Sequence, residues 1–452
     1  VQNYPKAISF LNSLLNLEQA GKPNSRIWNL KRMRELLRIF GRPERGIFAV
    51  LVAGTKGKGS TAYFLSEILR RSGLRVGFYQ SPHLESPTER ILINGKPVTK
   101  EKFAQGLLRI KRTLQHHVFA RRPIGRRNNL RFEIVSGASL RAYGPKGPEA
   151  HPRNDGMALP FTYFEIMTLL AALLFKENQV DAAVYEVGMG GRLDATNALP
   201  AKLVILTPIH FDHEAYLGNT LAKIAGEKAA VLRRGGEAVI APQPPEVKCE
   251  IERMARKRRC RLWSPLSVPG MKLRLLGDFQ ELNARMALRA GDILRKRYHF
   301  PVTPQAMLEG VASNHWPGRM ELIRGHRNSS ILLDGAHNPK SIEALTRNVK
   351  RLFGKRRKVL IFGTSRDKRS DRMLTTLSRV FDTCILTESQ SSRAKETALL
   401  LREAQSHFQT LLPAVSVPAA LALARRITSG QDLIVGTGSF YLIGELRSLC
   451  RN

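Results

Sequence analysis

The residues best suited to chemistry near the start of the chain form one stretch, Leu51-Val52-Ala53-Gly54-Thr55-Lys56-Gly57-Lys58-Gly59-Ser60-Thr61. An apolar run ends there in glycine, lysine and hydroxyl residues, and an apolar helical pattern follows at once. Glycines let backbone N–H groups turn towards an anion, a helix N-terminus favours negative charge, and lysine supplies a mobile cation. A hydroxyl just past the lysine can ligate Mg²⁺ in a Walker loop. The match to G-x-x-x-x-G-K-[ST] is not literal, because the glycines are closer together and Gly59 separates Lys58 from Ser60. A plain strand-to-helix turn is the alternative to phosphate binding.

Further along, Ser81-Pro82-His83-Leu84, Glu186 with the glycine-rich 188–197 loop, and His210 to His213 each follow an apolar run. A carboxylate from Glu186, the imidazole of His213 and a hydroxyl of Ser60 or Ser81 suit an octahedral Mg²⁺ that keeps waters and phosphate oxygens. Taken singly, Glu186 reads equally as a capping or ion-paired carboxylate, and His213 as a structural histidine. Lys228, beside Glu227, reads as a surface lysine. A neutral lysine near a divalent metal can take up CO₂ as a carbamate, but nothing in the spacing asks for it. Asp334 and His337 share a loop that either caps the turn before Pro339 or faces a nucleotide held by the rest of the chain.

These clusters need strands whose C-terminal ends lie along one edge. Helical periodicity over 4–17 and 27–40 precedes strand Ile47–Val52 and a helix to Ser72. Strand Arg75–Gln80, an extended segment 89–95 and a helix from Thr99 to Leu114 come next. A Pro/Gly/Arg/His-rich stretch, 116–160, reads as a surface insertion with a hairpin arm at Leu130–Val135. The pattern resumes with helix 162–178, strand Val180–Val187, strand Leu203–Pro208, helix Thr220–Arg233, strand Ala238–Ala241 and helices 244–258 and 279–297. From Trp316 a second unit carries strands Ile331–Leu333, Val359–Phe362, Thr383–Leu386 and Leu433–Val435. Strands joined by crossover helices predict an α/β protein with a doubly wound, mainly parallel sheet. The expected division is a phosphate-loop domain over 1–314 and a smaller Rossmann-like domain over 315–452.

The chain has 452 residues, of which 43% are hydrophobic and 24% charged, an ordinary globular composition. The longest apolar run, 166–175, is about half of what a membrane span needs, so no membrane segment is expected. Val1 to Pro5 show no basic-then-apolar leader, so no secretory signal is expected, and the lack of an initiator Met leaves the true start open. Cys249, Cys260, Cys384 and Cys450 are far apart without CxxC, which fits a reducing cytoplasm and no structural zinc. The net charge of +36 recurs in runs such as 253–261, 347–358 and 366–372, read as solvated helix faces. A nucleotide-gated nucleic-acid-binding protein is the remote alternative, with no zinc finger or helix-turn-helix to support it.

Taken together, GTKGKGST at 54–61, SPHL at 81–84, TYFE at 162–165, EVGMGGRLDATN at 186–197, FDHEAYLG at 211–218, GEKA at 226–229, WPGR at 316–319 and DGAHNP at 334–339 resemble one family. It is folylpolyglutamate synthase / dihydrofolate synthase, the folate branch of the Mur-type peptide ligases. The resemblance implies an ATP-dependent ligase that adds L-glutamate to a folate or to dihydropteroate through an acyl phosphate, working as a monomer. It also implies ATP and Mg²⁺, two ions, as cofactors. By motif, Gly54, Thr55, Lys56, Gly57, Lys58, Gly59 and Ser60 hold phosphates, and Asn283, Arg319, Asp334 and His337 contact nucleotide. Ser60, Ser81, Glu186 and His213 correspond to metal ligands, and Lys228 to a carbamylated lysine. Lys58, Lys228 and His337 are the implied catalytic groups. Thr162, Phe164, Asp194 and Ala195 match a pterin pocket, and Ser439 and Tyr441 lie on the glutamate side. Lys56 stands where bacterial members more often have Asn, and the 116–160 stretch is long for the family. A Mur-type or cyanophycin-type ligase with another acceptor is the runner-up.

Overall fold

The protein is described from a computed structural model covering residues 2–16, 29–120, 161–268, 270–271, 273–312, 316–324 and 330–451. Of the expected 116–160 insertion, residues 116–120 instead continue the helix Lys100–Ala120, and the rest, with its hairpin, lies outside the described residues.

The first sheet contains β1 (Phe48–Ala53), β2 (Val76–Tyr79), β3 (Ile91–Ile93), β4 (Lys96–Pro97), β5 (Ala182–Glu186), β6 (Ala201–Leu206), β7 (Glu237–Ile240) and β8 (Arg261–Trp263). Their order is β4-β3-β2-β5-β1-β6-β7-β8, parallel from β2 to β8, with β3 and β4 antiparallel at one edge. In β1, Ala49, Leu51 and Ala53 enter one core while Val50 and Val52 enter the other. A strand buried on both faces must be apolar throughout, which is why this run shows no alternation. The helix Tyr163–Glu177 backs one face, and the helices Lys58–Arg71, Phe279–Tyr298 and Pro304–Ala312 back the other. Tyr163–Glu177 opens on a capping box in which Thr162 and Glu165 satisfy each other's backbone N–H; losing such a cap costs about 1 kcal/mol.

The second sheet contains β9 (Glu321–Arg324), β10 (Ser330–Asp334), β11 (Lys358–Phe362), β12 (Thr383–Leu386), β13 (Thr410–Pro413) and β14 (Leu433–Thr437). Its order is β13-β12-β11-β14-β10-β9, parallel except for β9. The described residues contain no helix long and apolar enough to cross a membrane.

Several expectations need correction. The segment 89–95 is extended only over Ile91–Ile93; Glu89 and Arg90 end a 3₁₀ turn, Pro87–Arg90, which Ser86 caps and in which Glu89 reaches back to the Ser86 N–H. The edge strands β8, β9 and β13 and the helix Pro304–Ala312 were not expected from the sequence. β8 and β13 are short and half-exposed, so they carry no apolar run to read.

Candidate active site

The C-terminal ends of both sheets open onto one cavity of about 1000 Å³. The 54–60 loop leaves β1 between β5 and β6, the neighbours hydrogen-bonded to it on either side. It is pinned to the end of β6 by Thr55 N and Lys56 N donating to Pro208 O, and by the Thr55 hydroxyl, which bridges His210 O and N. Gly54 (φ 141°) and Gly57 (φ 81°) hold conformations that favour glycine, and a side chain at Gly57 would run into the Asn283 amide. Asn283 is itself oriented by donating to Gln280 Oε1 at 3.0 Å. Gly57 caps the helix Lys58–Arg71, so Lys58, Gly59 and Ser60 form its first turn, and Thr61 N is the first to bond back, to Gly57 O. Backbone donors, helix dipole and Lys58 therefore share one anion-facing end.

Glu186, at the end of β5, lies against this turn. A side-chain atom placed on Gly59 would sit 3.4 Å from its carboxylate and 3.8 Å from the Arg319 guanidinium. Glu186 also accepts from Ser81 N at 3.2 Å, so Ser60, Ser81 and Glu186 line the same wall. Burial raises the Glu186 pKa, opposed chiefly by Lys58 and Arg319. His213 lines the cavity beside Asp212, 3.7 Å away, and burial lowers its pKa, which keeps the imidazole neutral and able to ligate. Burial raises the Asp212 pKa, but the basic groups around it, the Lys58 ammonium among them, outweigh it, and the net shift is downward. Among the described residues no three His, Cys, Asp or Glu side chains converge as an all-protein metal cage. One carboxylate, hydroxyls and a neutral imidazole fit a Mg²⁺ that takes its remaining ligands from phosphate and water.

Lys228 overturns the surface reading. It is 2% exposed and lies behind the loop rather than on the cavity wall, with Nζ donating to Gly54 O at 2.8 Å. Burial, then Lys58, lowers its pKa to about 7. The signal was present: Lys228 follows the fully buried Ile224 by four residues, on the apolar face of Leu221–Ala229. Gly54, likewise, belongs to the loop without lining the cavity.

From the second sheet come Arg319, Asp334, His337, Ser439 and Tyr441. Asp334 accepts from Met320 N and Ala336 N, both at 2.9 Å, and burial raises its pKa against the pull of Arg319. It thereby ties the turn after Arg319 to the turn that leads to His337. His337 Nδ1 lies 2.8 Å from Gly335 O, and a carbonyl can only accept, so Nδ1 carries the hydrogen and Nε2 is bare. Burial, then Lys368, lowers the His337 pKa to about 4. Ser439 Oγ accepts from Tyr441 N.

The other end of the cavity is an apolar slot walled by Phe164, Leu30, Met33, Leu193 and Ala195. Asp194 closes it; its oxygens accept from Met189 N and Thr196 N, and burial raises its pKa. The Thr162 hydroxyl is engaged with Glu165, so Thr162 contributes mainly shape.

Sequence reasoning missed Leu30 and Met33, which periodicity marks only as core, and four cations on the wall: Lys340, Arg347, Lys368 and Arg393. Arg347 and Lys368 belong to basic runs read as solvated faces. Lys56 also lines the cavity, its pKa lowered to about 8 by burial and then by Lys340.

The profile of the family described as "Mur ligase, glutamate ligase domain" matches residues 318–440. The chain is 30% identical to a dihydrofolate synthase/folylpolyglutamate synthase of Mycobacterium tuberculosis, over 98% of this chain and 95% of that protein. It is 29% identical to the Bacillus subtilis enzyme of the same name, over 92% of this chain and 94% of that one. Its fold is similar to that of the Mycobacterium tuberculosis folylpolyglutamate synthase complexed with ADP, with a TM-score of 0.81 and 26% identity, covering 100% of this chain and 99% of that one. A likeness of this extent, on a chain whose family motifs meet around one cavity, means that the chain belongs to the folylpolyglutamate synthase / dihydrofolate synthase family.

Proposed function

We propose that this chain joins the amine of L-glutamate to a folate-type carboxylate at the expense of ATP. The observation that supports it best is the single cavity with a phosphate loop on one wall, cations from the second sheet on the other, and an apolar slot with a buried carboxylate at its end. The slot fits a flat pterin, its amino and ring N–H groups donating to Asp194. The loop N–H groups, Lys58 and Arg319 surround the triphosphate. Ser60, Ser81, Glu186 and His213 would hold Mg²⁺, which neutralises phosphate charge when bound.

In the first step the acceptor carboxylate oxygen attacks the γ-phosphorus, the bond to the β–γ bridging oxygen breaks, and ADP leaves with those electrons. In the second, the glutamate amine attacks the acyl carbon and the adduct expels phosphate, giving the amide. The amine nitrogen sheds its proton to the departing phosphate. Negative charge grows first on the transferred phosphoryl group and then on the adduct oxygen, where Lys58 and Arg319 are already in place. His337 stays neutral and offers Nε2 as a hydrogen-bond acceptor. Lys368 and Arg393 line the cavity as do Ser439 and Tyr441, and although both are paired with Asp367, at 3.2 and 2.8 Å, they are the cations we assign to the glutamate carboxylates. Lys228, half deprotonated near pH 7, is suited to take up CO₂; the carbamate would exchange a buried cation for an anion behind the loop.

We take the chain to act as a monomer. All four cysteines are free, consistent with work in a reducing cytoplasm. The test is incubation with ATP, Mg²⁺, labelled glutamate and either tetrahydrofolate or dihydropteroate. Phosphate release with labelled product is expected from at least one acceptor, and silence with both refutes the reading.

A further inference from the structure

We propose that Arg447 is a positioning residue that fastens the loop bearing Ser81 to the turn bearing Arg319, so that both meet the phosphates together. The inference rests on the reading of the cavity as the ATP site. Arg447 is 4% exposed, on the helix Phe440–Arg451. Its Nε donates to both oxygens of Glu321, at 3.0 and 2.9 Å, and its Nη1 donates to Glu85 at 2.6 Å. Glu321 opens β9 and also accepts from Gly318 N at 2.9 Å, one residue before Arg319. Glu85 lies four residues past Ser81, in a loop stiffened by Glu89, which accepts from Leu84 N, Glu85 N and Ser86 N. A continuous line of charged contacts therefore runs from the first sheet's loop to the second sheet's turn.

Independent contacts on the same helix face agree. Phe440, Gly444 and Arg447 are spaced four and three apart, which sets them on one side. The Phe440 ring lies 4.6 Å from the Arg319 guanidinium and 5.6 Å from the His337 ring. A side chain at Gly444 would run into Leu84 O, so the loop rests directly on the helix. Gly318 is enclosed by Leu84 and Ile443. One helix thus seats the Ser81 loop at its middle and orients Arg319 and His337 at its start. The Glu321 pair alone would explain a structural arginine. The third contact, to a loop of the other sheet that reaches the phosphate wall, is what a coupling role requires.

Arg447→Met would strand buried Glu321 and endanger the fold, so the discriminating variant is Glu85→Gln, at a side chain 29% exposed, which leaves the Glu321 pair intact. Wild type, Glu85→Gln and Glu85→Asp are compared by thermal unfolding, steady-state kinetics, and calorimetric binding of a non-hydrolysable ATP analogue with and without Mg²⁺. Glu85→Gln is expected to keep the wild-type melting midpoint, to lose about tenfold in kcat, and to lose about fivefold of the affinity that Mg²⁺ adds; Glu85→Asp recovers part of both. Wild-type kcat and Mg²⁺ response in Glu85→Gln overturns the proposal, and so does a loss that merely follows a lowered melting midpoint. Because binding is read without turnover, a wild type that ligates nothing would count against the proposed reaction and not against this clamp.

Discussion

Replacing Lys228 by methionine should stabilise the protein in mildly acidic solution while removing its activity. Lysine's ordinary pKa is 10.5, and burial, followed by repulsion from Lys58, holds Lys228 at about 7. At 1.36 kcal/mol per pKa unit, that difference amounts to about 5 kcal/mol of destabilisation whenever the buried amine is charged. Methionine fills the same stem without the charge and forfeits the hydrogen bond to Gly54 O, worth about 1.5–3 kcal/mol for a charged donor. The net gain at pH 6 is therefore on the order of 2 to 3 kcal/mol.

The pH dependence carries the sharper test. Between pH 7 and 10.5 the unfolded chain keeps the Lys228 proton and the folded chain has released it. Wild-type stability therefore rises with pH across that window by about 1.36 kcal/mol per unit from this group, and is level below it. The methionine variant lacks the rise, so its advantage is greatest at pH 6 to 7 and closes near pH 9. Urea unfolding of both proteins in CO₂-free buffer at pH 6, 7, 8 and 9 measures the difference directly. A difference that stays constant over this range, or a destabilised variant at pH 6, would refute the account of the buried amine. Adding ¹³C-bicarbonate should then give a carbamate carbon resonance in the wild type that the variant lacks.

The other expectations are simpler to read. Lys58→Ala should lower phosphate release by about 10² or more, since the transferred phosphoryl group loses its nearest cation; wild-type turnover would mean that the loop is not the phosphate site. Lys228→Ala should be severely impaired and partly restored by short carboxylates, assayed as turnover against added formate or acetate. Asp194→Asn should raise the KM of the pterin-bearing acceptor about tenfold and leave that of ATP unchanged, because amide for carboxylate weakens only the slot.

The first sheet was readable because β1 is buried on both faces and ends in residues that suit nothing but a tight turn. Once that strand is fixed, the polar clusters at 81–84, 186–197 and 210–213 follow from the rule that parallel strands deliver ligands at their C-terminal ends. Arg393 was not readable, because its place on the wall depends on how the 391–395 segment folds against Ser365 and Asp367. Neither were Leu30 and Met33: helical periodicity marks an inward face, but only packing decides whether core or cavity lies beyond it. Arg447 and Glu85 are 362 residues apart in sequence, and no local pattern links them. Lys228 is the instructive case. Its helix pattern did put a lysine on the apolar face, and the neighbouring Glu227 masked it by supplying an easy surface partner.

The glycine between Lys58 and Ser60 follows from the same geometry. Gly57 turns the chain with a left-handed φ, and the next three residues make the first turn of the helix, their N–H groups free of helical partners. At about 100° per residue, Lys58 and Ser60 point roughly 160° apart, whereas adjacent lysine and hydroxyl residues diverge by about 100°. Cation and hydroxyl therefore address different sides of a phosphate chain. The residue between them faces the Glu186 carboxylate and the Arg319 guanidinium, which lie 3.4 and 3.8 Å from where a side chain would begin. A β-carbon there would make only ordinary van der Waals contact, whereas a longer side chain would meet both groups and press the first turn away from Glu186 and from the arginine of the second sheet. Glycine at 59 thus leaves room for three elements to lie against one another: the helix start, the end of β5, and the turn held by Asp334.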